Sequence, residues 1–190
     1  MEPLELLQVV VSNLDQLGVP SMLVGSFASS SYGSPRLTRD ADLIVRLERD
    51  QVHGFIEAFA REFYLDRGQI DQAIANQSSF NIIHFETAFK IDFFVLRRGG
   101  YGEEEFSRRV PLRIDLRTGF APNVQTAEDA ILSKLVWYRQ GGEVSENQWR
   151  DVVGILKVQA GRLDLGYLQK WAEELGITDL LLRARQEAAR

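Results

Sequence analysis

Apolar residues near the start of the chain recur with spacings that alternate between those of a helix and those of a strand. From Leu4 to Leu17 they recur every three or four residues, which predicts an amphipathic helix that ends at Gly18. The apolar run Met22 to Val24 predicts a short strand, and a short helix is expected from Phe27 to Tyr32. This alternation is typical of an α/β domain.

Further strands are predicted in the middle of the chain. A period of two runs from Asp40 to Leu47, so this segment is predicted to be a strand with its two aspartates on one face. The apolar spacing from Val52 to Phe59 indicates another helix. The runs Phe80 to Phe85 and Ala88 to Leu96 are predicted to pair as a hairpin, and a weaker strand is expected at Leu112 to Ile114.

The last third of the chain has the pattern of helices alone. Thr126 and Ser145 each precede an apolar helical stretch and are followed three residues later by Asp or Gln, which resembles a capping box. Two further amphipathic segments follow before the C terminus. We therefore divide the chain into an α/β domain of residues 1–122 and a helical subdomain of residues 123–190.

Composition narrows the class of protein. A chain of 190 residues with 45% hydrophobic and 26% charged residues suits one globular domain, or one domain with a small appendage. The chain has no apolar run long enough to span a bilayer and no signal-peptide pattern, so we expect a cytoplasmic protein without membrane association. Because it lacks cysteine, disulfides, thiolate nucleophiles and cysteine zinc sites are excluded.

Glycine and aspartate residues mark one region as a candidate site. Gly25-Ser26 follows the first predicted strand, Asp40 and Asp42 begin the second, and Asp92 lies within the last long strand. Three carboxylates at one place repel each other and are costly to desolvate, and a divalent cation would stabilise them. Mg²⁺ takes oxygen ligands together with substrate phosphates. The pattern favours metal-dependent phosphoryl or nucleotidyl transfer.

Structural alternatives compete with each of these interpretations. Asp92 could instead be a buried carboxylate paired with an arginine such as Arg39. The arginine-rich segment 97–117 also contains glutamates, so it is either a solvated mixed-charge surface or a surface for phosphates or an acceptor. His84 precedes the Asp92 strand and could contact the site. The net charge of −5 does not favour general nucleic-acid binding.

The motif combination resembles the nucleotidyltransferase superfamily typified by DNA polymerase beta. Its signature is an apolar residue before Gly-Ser or Gly-Gly, a spacer, Asp-x-Asp, and a third acidic residue on a later strand. The resemblance covers most of the first predicted domain. It implies an α/β (α+β) fold with a small mixed β-sheet, here followed by a C-terminal helical subdomain. It also implies that Asp40, Asp42 and Asp92 are both the catalytic and the metal-binding residues.

The resemblance further implies which residues contact the nucleotide. Gly25 would let the backbone approach the phosphates, and Ser26 would donate hydrogen bonds at the start of a helix. Arg36, Arg39 and Lys134 would neutralise phosphate charge. The alternative for Lys134, and for Arg150, is a helical cation that faces solvent or pairs with Glu128, Asp129 or Asp151. The implied cofactor is Mg²⁺ or Mn²⁺, with an NTP as substrate.

The match is closer to stand-alone bacterial members, including the nucleotidyltransferase toxins of abortive-infection systems. In those toxins Arg-x-Thr-x-Asp-x-Asp precedes the strand, and here the stretch from Arg36 to Asp42 fits that form. Their tail carries a lysine, an arginine and a later Arg-Asp, which correspond to Lys134, Arg139 and Arg150-Asp151. A further aspartate usually follows three residues later, and this chain departs from the pattern with Gly154.

These features together predict a metal-dependent nucleotidyltransferase that moves NMP from an NTP to a hydroxyl acceptor on a small molecule, a protein or an RNA. An RNA or a partner protein stays open as a further partner. One alternative is a non-catalytic interaction protein that keeps the fold, such as a toxin–antitoxin partner. Another is an enzyme that modifies tRNA and binds it through the arginines of segment 97–117.

Overall fold

The computed structural model describes residues 2–33, 38 and 40–189. The described residues form nine α-helices and one seven-stranded mixed β-sheet. They fall into two compact units that are each discontinuous in sequence. Unit 1 comprises Met1–Val24 and Leu37–Val124, and unit 2 comprises Gly25–Arg36 and Gln125–Arg190.

Helices and strands are interspersed up to Val124, and the elements described after it are all helices. The helices are α1 Pro3–Gln16, α2 Gly25–Tyr32, α3 Val52–Phe59, α4 Arg67–Asn76, α5 Gly100–Ser107, α6 Ala127–Gln140, α7 Glu146–Val158, α8 Leu165–Glu174 and α9 Thr178–Ala188. The strands are β1 Ser21–Val24, β2 Asp40–Val45, β3 Phe63–Tyr64, β4 Ser79–His84, β5 Lys90–Val95, β6 Val110–Pro111 and β7 Asn123–Val124.

All seven strands belong to unit 1 and run in the order β3-β4-β5-β2-β1-β7-β6. Strand β4 pairs antiparallel with β5, which confirms the predicted hairpin. Strand β2 pairs parallel with β5 and antiparallel with β1. The sheet is therefore mixed, and β2 and β5 lie at its centre.

The main core of unit 1 is aromatic and lies on one face of the sheet. Phe55 of α3 contacts Phe80 and Phe93 edge-on at ring-centroid distances of 5.6 and 5.4 Å. Phe80 and Phe93 stack on each other at 5.0 Å across β4 and β5. Because side chains alternate along a strand, Phe93 points to the face opposite Asp92. The core is thus built on the face that does not carry the aspartates.

A smaller apolar cluster lies on the aspartate-bearing face of unit 1. Phe106 of α5 packs with Met22, Val24, Leu96 and the partly buried Ile44. Since Ile44 follows Asp42 by two residues, this cluster is next to the aspartates along β2. Helix α5 therefore covers part of this face.

Unit 2 consists of five helices, two of which have N-terminal caps that match the sequence signals. The Thr126 hydroxyl accepts a hydrogen bond from the amide of Asp129 at 3.3 Å, and the Ser145 hydroxyl accepts one from the amide of Gln148 at 3.4 Å. Each cap satisfies a backbone donor that the first helical turn leaves unpaired. These contacts explain why α6 and α7 begin where the capping pattern predicts.

Two α-helices and two strands of unit 1 are not among the predictions, because they bury few apolar residues. Helix α4 buries only Ile70 and Ala73, helix α5 buries Phe106 beside the polar Glu105, and β3 and β7 are each two residues long. The weak strand predicted at Leu112 to Ile114 extends the pairing of β6 with β7. Regular strand β6 ends at Pro111, and the amides of Leu112 and Ile114 then donate to the carbonyls of Pro122 and Phe120, each at 3.0 Å. In the part of the chain that the structure describes, every helix is too short or too polar to traverse a bilayer.

Candidate active site

The parallel pairing of β2 with β5 aligns the predicted aspartates within unit 1. Asp42 is the register partner of Asp92, and Asp40 is the register partner of Lys90. Adjacent strands lie about 4.8 Å apart, and register partners point to the same face. The structure thus brings Asp42 and Asp92 side by side, with Asp40 one step away along β2.

The alternation of buried and partly exposed residues explains why these strands present carboxylates to solvent. Ala41 and Leu43 are buried on one face of β2, while Asp40 and Asp42 are only partly buried on the other. Strand β5 shows the same alternation, so Asp92 is also partly exposed. Burial of the apolar residues therefore places the charged ones on the opposite face.

Lys90 forms an ion pair within this group of carboxylates. Its Nζ lies 2.6 Å from Asp92 Oδ2, with side-chain exposures of 42% for Lys90 and 20% for Asp92. The hydrogen bond with Asp92 raises the pKa of Lys90, and the charges of Asp92, Asp40 and Asp42 act in the same direction. The partner of Asp92 among the described residues is thus a lysine two positions away.

Thr38 orients Asp40. Its hydroxyl donates to Asp40 Oδ1 at 2.9 Å and lies 3.0 Å from the Asp40 carbonyl oxygen. Thr38 is the threonine of the Arg-x-Thr-x-Asp-x-Asp pattern, so this contact gives that position a physical role. Arg36 and Arg39, the two predicted phosphate-binding arginines, lie outside the described residues.

Gly25 and Ser26 form the strand-to-helix turn that the motif predicts. Val24, the last residue of β1, is the register partner of Asp42, and Gly25 is the next residue in the chain. Gly25 has φ of +65°, a left-handed conformation that favours glycine over residues with a Cβ. The Ser29 hydroxyl oxygen lies 3.2 Å from the Ser26 carbonyl oxygen within α2.

Lys134, predicted to contact phosphate, forms a buried ion pair within unit 2. Its Nζ lies 2.9 Å from Asp151 Oδ2, with side-chain exposures of 10% and 8%. The Ser29 hydroxyl donates to the same Asp151 oxygen at 3.4 Å. The structure therefore brings together the lysine and the aspartate of the tail pattern, and α2 contributes to the same group.

The arginines of the tail pattern have other partners. Arg139 donates to Asp179 at 2.6 Å, and Arg150 donates to the side-chain oxygen of Asn147 at 2.6 Å.

Gly154 lies where two backbone segments approach each other closely. A Cβ added at Gly33 would lie 3.3 Å from the Gly154 carbonyl carbon. The pattern's departure at Gly154 thus falls where the end of α2 contacts α7.

A second buried polar group in unit 2 surrounds Asp129. Its carboxylate accepts hydrogen bonds from the hydroxyls of Thr126 and Tyr167, each at 2.6 Å. Burial and the charges of Glu128 and Asp129 raise the pKa of Tyr32 to about 12. Tyr32 is therefore a neutral phenol at ordinary pH.

His84 does not belong to the aspartate group. Its register neighbour Ile83 pairs with Lys90, so His84 points to the opposite face of the sheet from Lys90 and Asp92. The imidazole is buried, contacts the Phe63 ring at 5.2 Å and lies 2.9 Å from the Thr87 hydroxyl. Its role is to pack within the aromatic core and to fix the β4–β5 turn.

No protein-family model and no curated protein matches the sequence. Similarity to known proteins is found by comparing the structure with solved structures. A similar solved structure is an antigenic nucleotidyltransferase-like protein from Paracoccidioides brasiliensis, at TM-score 0.59 and 16% identity, covering 97% of this chain and 92% of that one. The antibiotic-resistance factor ANT(2'')-Ia matches at TM-score 0.52 and 13% identity, with coverages of 97% and 92%. The lincosamide antibiotic adenylyltransferase LnuA, bound to lincomycin, matches at TM-score 0.51 and 11% identity, and the match covers 78% of this chain and 93% of LnuA.

This chain has the nucleotidyltransferase fold. The predicted α/β class with a small mixed sheet is confirmed.

The aspartates on β2 and β5 offer carboxylate oxygens, which are the ligands that a hard cation such as Mg²⁺ binds. No three acidic, histidine or cysteine side chains converge as a ready-made cation site among the described residues. Magnesium, however, is usually held by one or two carboxylates together with substrate phosphates and water. Asp42 and Asp92 are two carboxylates in adjacent register, so they fit a magnesium ion that arrives with a phosphate group.

Two residues of the aspartate face are not among the predictions. Asn81 of β4 is the register partner of Asp92 on the side away from Asp42. Lys90 precedes Asp92 by two positions on the same face of β5. The signal for both was present in the sequence, since each is the polar residue at an outward position of a predicted strand.

Proposed function

We propose that this protein is a metal-dependent nucleotidyltransferase that moves NMP from an NTP to a hydroxyl acceptor. The observation that carries the proposal is the parallel register of β2 and β5, which aligns Asp42 with Asp92 on a partly exposed face. A nucleotidyltransferase fold with carboxylates at this position supports the assignment.

In the proposed reaction the acceptor hydroxyl forms a bond with the α-phosphorus, the bond to the β-phosphate oxygen breaks, and pyrophosphate leaves. Asp40, Asp42 and Asp92 would hold Mg²⁺ or Mn²⁺. The cation supplies neutralisation of the triphosphate charge and activation of the attacking hydroxyl. Asp92 is the carboxylate that we assign to accept the hydroxyl proton. Thr38 holds Asp40 in place through its 2.9 Å hydrogen bond.

The triphosphate contacts are proposed from the motif positions. Gly25 and Ser26 would receive phosphate oxygens at the turn that starts α2, and Arg36 and Arg39 would add positive charge. For Lys134, binding to phosphate competes with its buried ion pair to Asp151. We therefore propose that Lys134 contacts a phosphate while its ammonium keeps its ion pair with Asp151.

The acceptor and the transferred group are proposed from the named neighbours. LnuA is described as an adenylyltransferase of lincosamide antibiotics, and ANT(2'')-Ia as an antibiotic-resistance factor. These descriptions favour ATP as the donor and the hydroxyl of a small molecule as the acceptor. Fractionation of labelled products distinguishes this acceptor from a protein or an RNA.

A non-catalytic interaction protein with this fold is the second candidate. The observation in its favour is the Lys90–Asp92 ion pair, which satisfies Asp92 without a metal ion. The departure at Gly154 from the toxin pattern points in the same direction.

The test is transfer of label from each NTP, radioactive at its α-phosphate, to the acceptors in a cell extract with Mg²⁺ or Mn²⁺. Asp42→Asn removes one ligand charge and is expected to lower transfer by at least about a thousandfold, because charge stabilisation at the reacting phosphate is lost. Asp71→Asn is the matched control, since Asp71 is a half-exposed carboxylate paired with Arg67 on α4. Separation of protein, RNA and small molecules then identifies the acceptor class.

Two outcomes would contradict the proposal. One is undiminished transfer by Asp42→Asn. The other is absence of transfer by the wild type together with no rise in melting temperature with metal and nucleotide, since a ligand that binds the native state must stabilise it. The second outcome would favour the non-catalytic candidate.

A further inference from the structure

Among the described residues, Lys90 is a basic residue that lies beside the proposed metal ligands. Lys90 and Asp92 are two positions apart on β5, so both side chains emerge on the same face. Register pairing sets Lys90 beside Asp40 and Asp92 beside Asp42. One ammonium and three carboxylates therefore occupy two successive rows of the sheet.

The ammonium of Lys90 contacts the carboxylate that a cation would use. Its Nζ lies 2.6 Å from Asp92 Oδ2. A divalent ion bound to that oxygen would have to displace the ammonium and would then be repelled by it at short range. Lys90 and a metal ion are thus competitors for Asp92.

The ion pair is exposed enough to exchange. The Lys90 side chain is 42% exposed, and pairs with this exposure contribute little to stability. Lysine is ordinarily charged at neutral pH, so the competing charge is present there. The pair can therefore open without disturbing the sheet, which is held by backbone pairing and by the core on its other face.

We propose that Lys90 is a built-in counter-ion that keeps free divalent cations off Asp92 and makes cation binding depend on the nucleotide. A triphosphate brings several negative oxygens to the site. It offers the displaced ammonium a new anionic partner, a role for which lysine is well suited. Lys90 thereby couples the two ligands, and the coupling must be equal in both directions.

This inference rests on the proposed function, because it concerns the cation and the NTP of the same site. Lys90 acts here as a positioning residue through Asp92. It is not assigned a step in the transfer itself. Binding measurements are therefore the appropriate test, since they do not require turnover.

The experiment measures Mn²⁺ binding from the signal of free Mn²⁺ in electron paramagnetic resonance. Each titration is done alone and with an ATP analogue whose α–β bridge is a methylene group, corrected for Mn²⁺ held by the analogue in solution. The variants are Lys90→Met, which removes the charge, and Lys90→Arg, which keeps it. Lys157→Met is the matched control, because Lys157 is an exposed lysine of α7.

We expect wild type to bind Mn²⁺ weakly alone and at least about tenfold more tightly with the analogue. Lys90→Met should bind Mn²⁺ alone about tenfold more tightly than wild type, because a nearby positive charge is gone. Its gain on adding the analogue should shrink correspondingly. Lys90→Arg and Lys157→Met should behave like wild type.

The inference is overturned if Lys90→Met binds Mn²⁺ alone no more tightly than wild type. It is also overturned if the gain from the analogue is the same in both proteins. If wild type binds no Mn²⁺ even with the analogue, the proposed function itself fails. Circular dichroism of each variant checks folding, and Lys90→Gln replaces Lys90→Met if that variant is disturbed.

Discussion

Two lysine–aspartate ion pairs lie in different surroundings, Lys90–Asp92 in unit 1 and Lys134–Asp151 in unit 2. The first is partly open to solvent on the face of a sheet, whereas the second is almost completely buried among helices. The first has three carboxylates near one ammonium, and the second has a hydroxyl donor, Ser29, on its aspartate.

The difference in burial separates a pair that can exchange from one that holds structure. A solvent-exposed pair gains little from its attraction, so either partner can take a new ligand at small cost. A buried pair leaves an uncompensated charge if one member is removed. The Lys90–Asp92 pair in unit 1 can therefore exchange one partner for a ligand, whereas the Lys134–Asp151 pair holds helices together in unit 2.

The largest expected effect comes from breaking the buried pair. Lys134→Ala should lower the free energy of unfolding of unit 2 by about 3–5 kcal/mol, because Asp151 stays buried without its counter-charge. All 3 tryptophans lie in α6, α7 and α8, so urea unfolding followed by tryptophan fluorescence reports on unit 2. The double change Lys134→Met/Asp151→Leu should recover most of the loss, since it removes both charges. A loss below about 1 kcal/mol for the single change would show that the pair is not structural.

An intermediate effect is expected where α2 approaches α7 in the same unit. A Cβ at Gly33 would lie 3.1 Å from the Ile155 amide nitrogen, which is backbone and cannot swing aside. Gly33→Ala should therefore cost about 1–3 kcal/mol by overpacking, measured by the same fluorescence transition. Gly166→Ala, at an exposed position of α8, is the control, because its Cβ would make only an ordinary 3.4 Å contact. Equal stabilities for the two variants would contradict a rigid α2–α7 contact.

A small effect is expected from removing the exposed pair. Lys90→Met should change the free energy of unfolding by less than about 1 kcal/mol, because solvent replaces most of what the ion pair contributes. Unit 1 has no tryptophan, so thermal unfolding followed by circular dichroism is the measurement. Lys157→Met again serves as control. A loss as large as that of Lys134→Ala would remove the contrast between the two pairs.

The smallest effect is confined to alkaline pH. Tyr32 has its pKa raised from 10.0 to about 12, so the native state keeps the phenol protonated after the unfolded chain has ionised. Its contribution to stability is complete below pH 10 and is lost as the pH rises towards 12. Difference absorbance of the tyrosines should show a late-titrating group that is lost in Tyr32→Phe and kept in the control Tyr64→Phe. A normal titration of all 5 tyrosines would contradict this assignment.

The fold was predictable where apolar spacing was strong. Helix α3 and the β4–β5 hairpin bury several large side chains each, and their patterns are plain in the sequence. Helix α4 has only Ile70 and Ala73 on its buried face, so periodicity could not reveal it. The grouping of α2 with the C-terminal helices depends on tertiary packing and leaves no local signal.

The candidate site was predictable in its residue types and not in its ion pairs. A period of two placed Asp40 and Asp42 on one face, while the alignment of Asp42 with Asp92 needed the parallel register. Lys90 looked like an ordinary outward strand residue, and only that register sets it beside Asp40. For Lys134 the sequence left open phosphate, solvent or an acidic partner such as Asp151, and helix packing decides that it is buried against Asp151. The metal-binding and phosphate-binding roles stay predictions.

The discontinuity of the two units has a consequence for synthesis on the ribosome. The chain passes from one unit to the other after Val24, after Arg36 and after Val124. Helix α2 emerges early, yet the helices that hold it, α6 and α7, are translated near the end. At about 5–20 residues per second the delay is on the order of ten seconds. During that time the hydroxyl of Ser29 lacks Asp151, and the backbone of Gly33 lacks its contact with α7. A nascent chain that stalls before α7 therefore exposes α2 to chaperones.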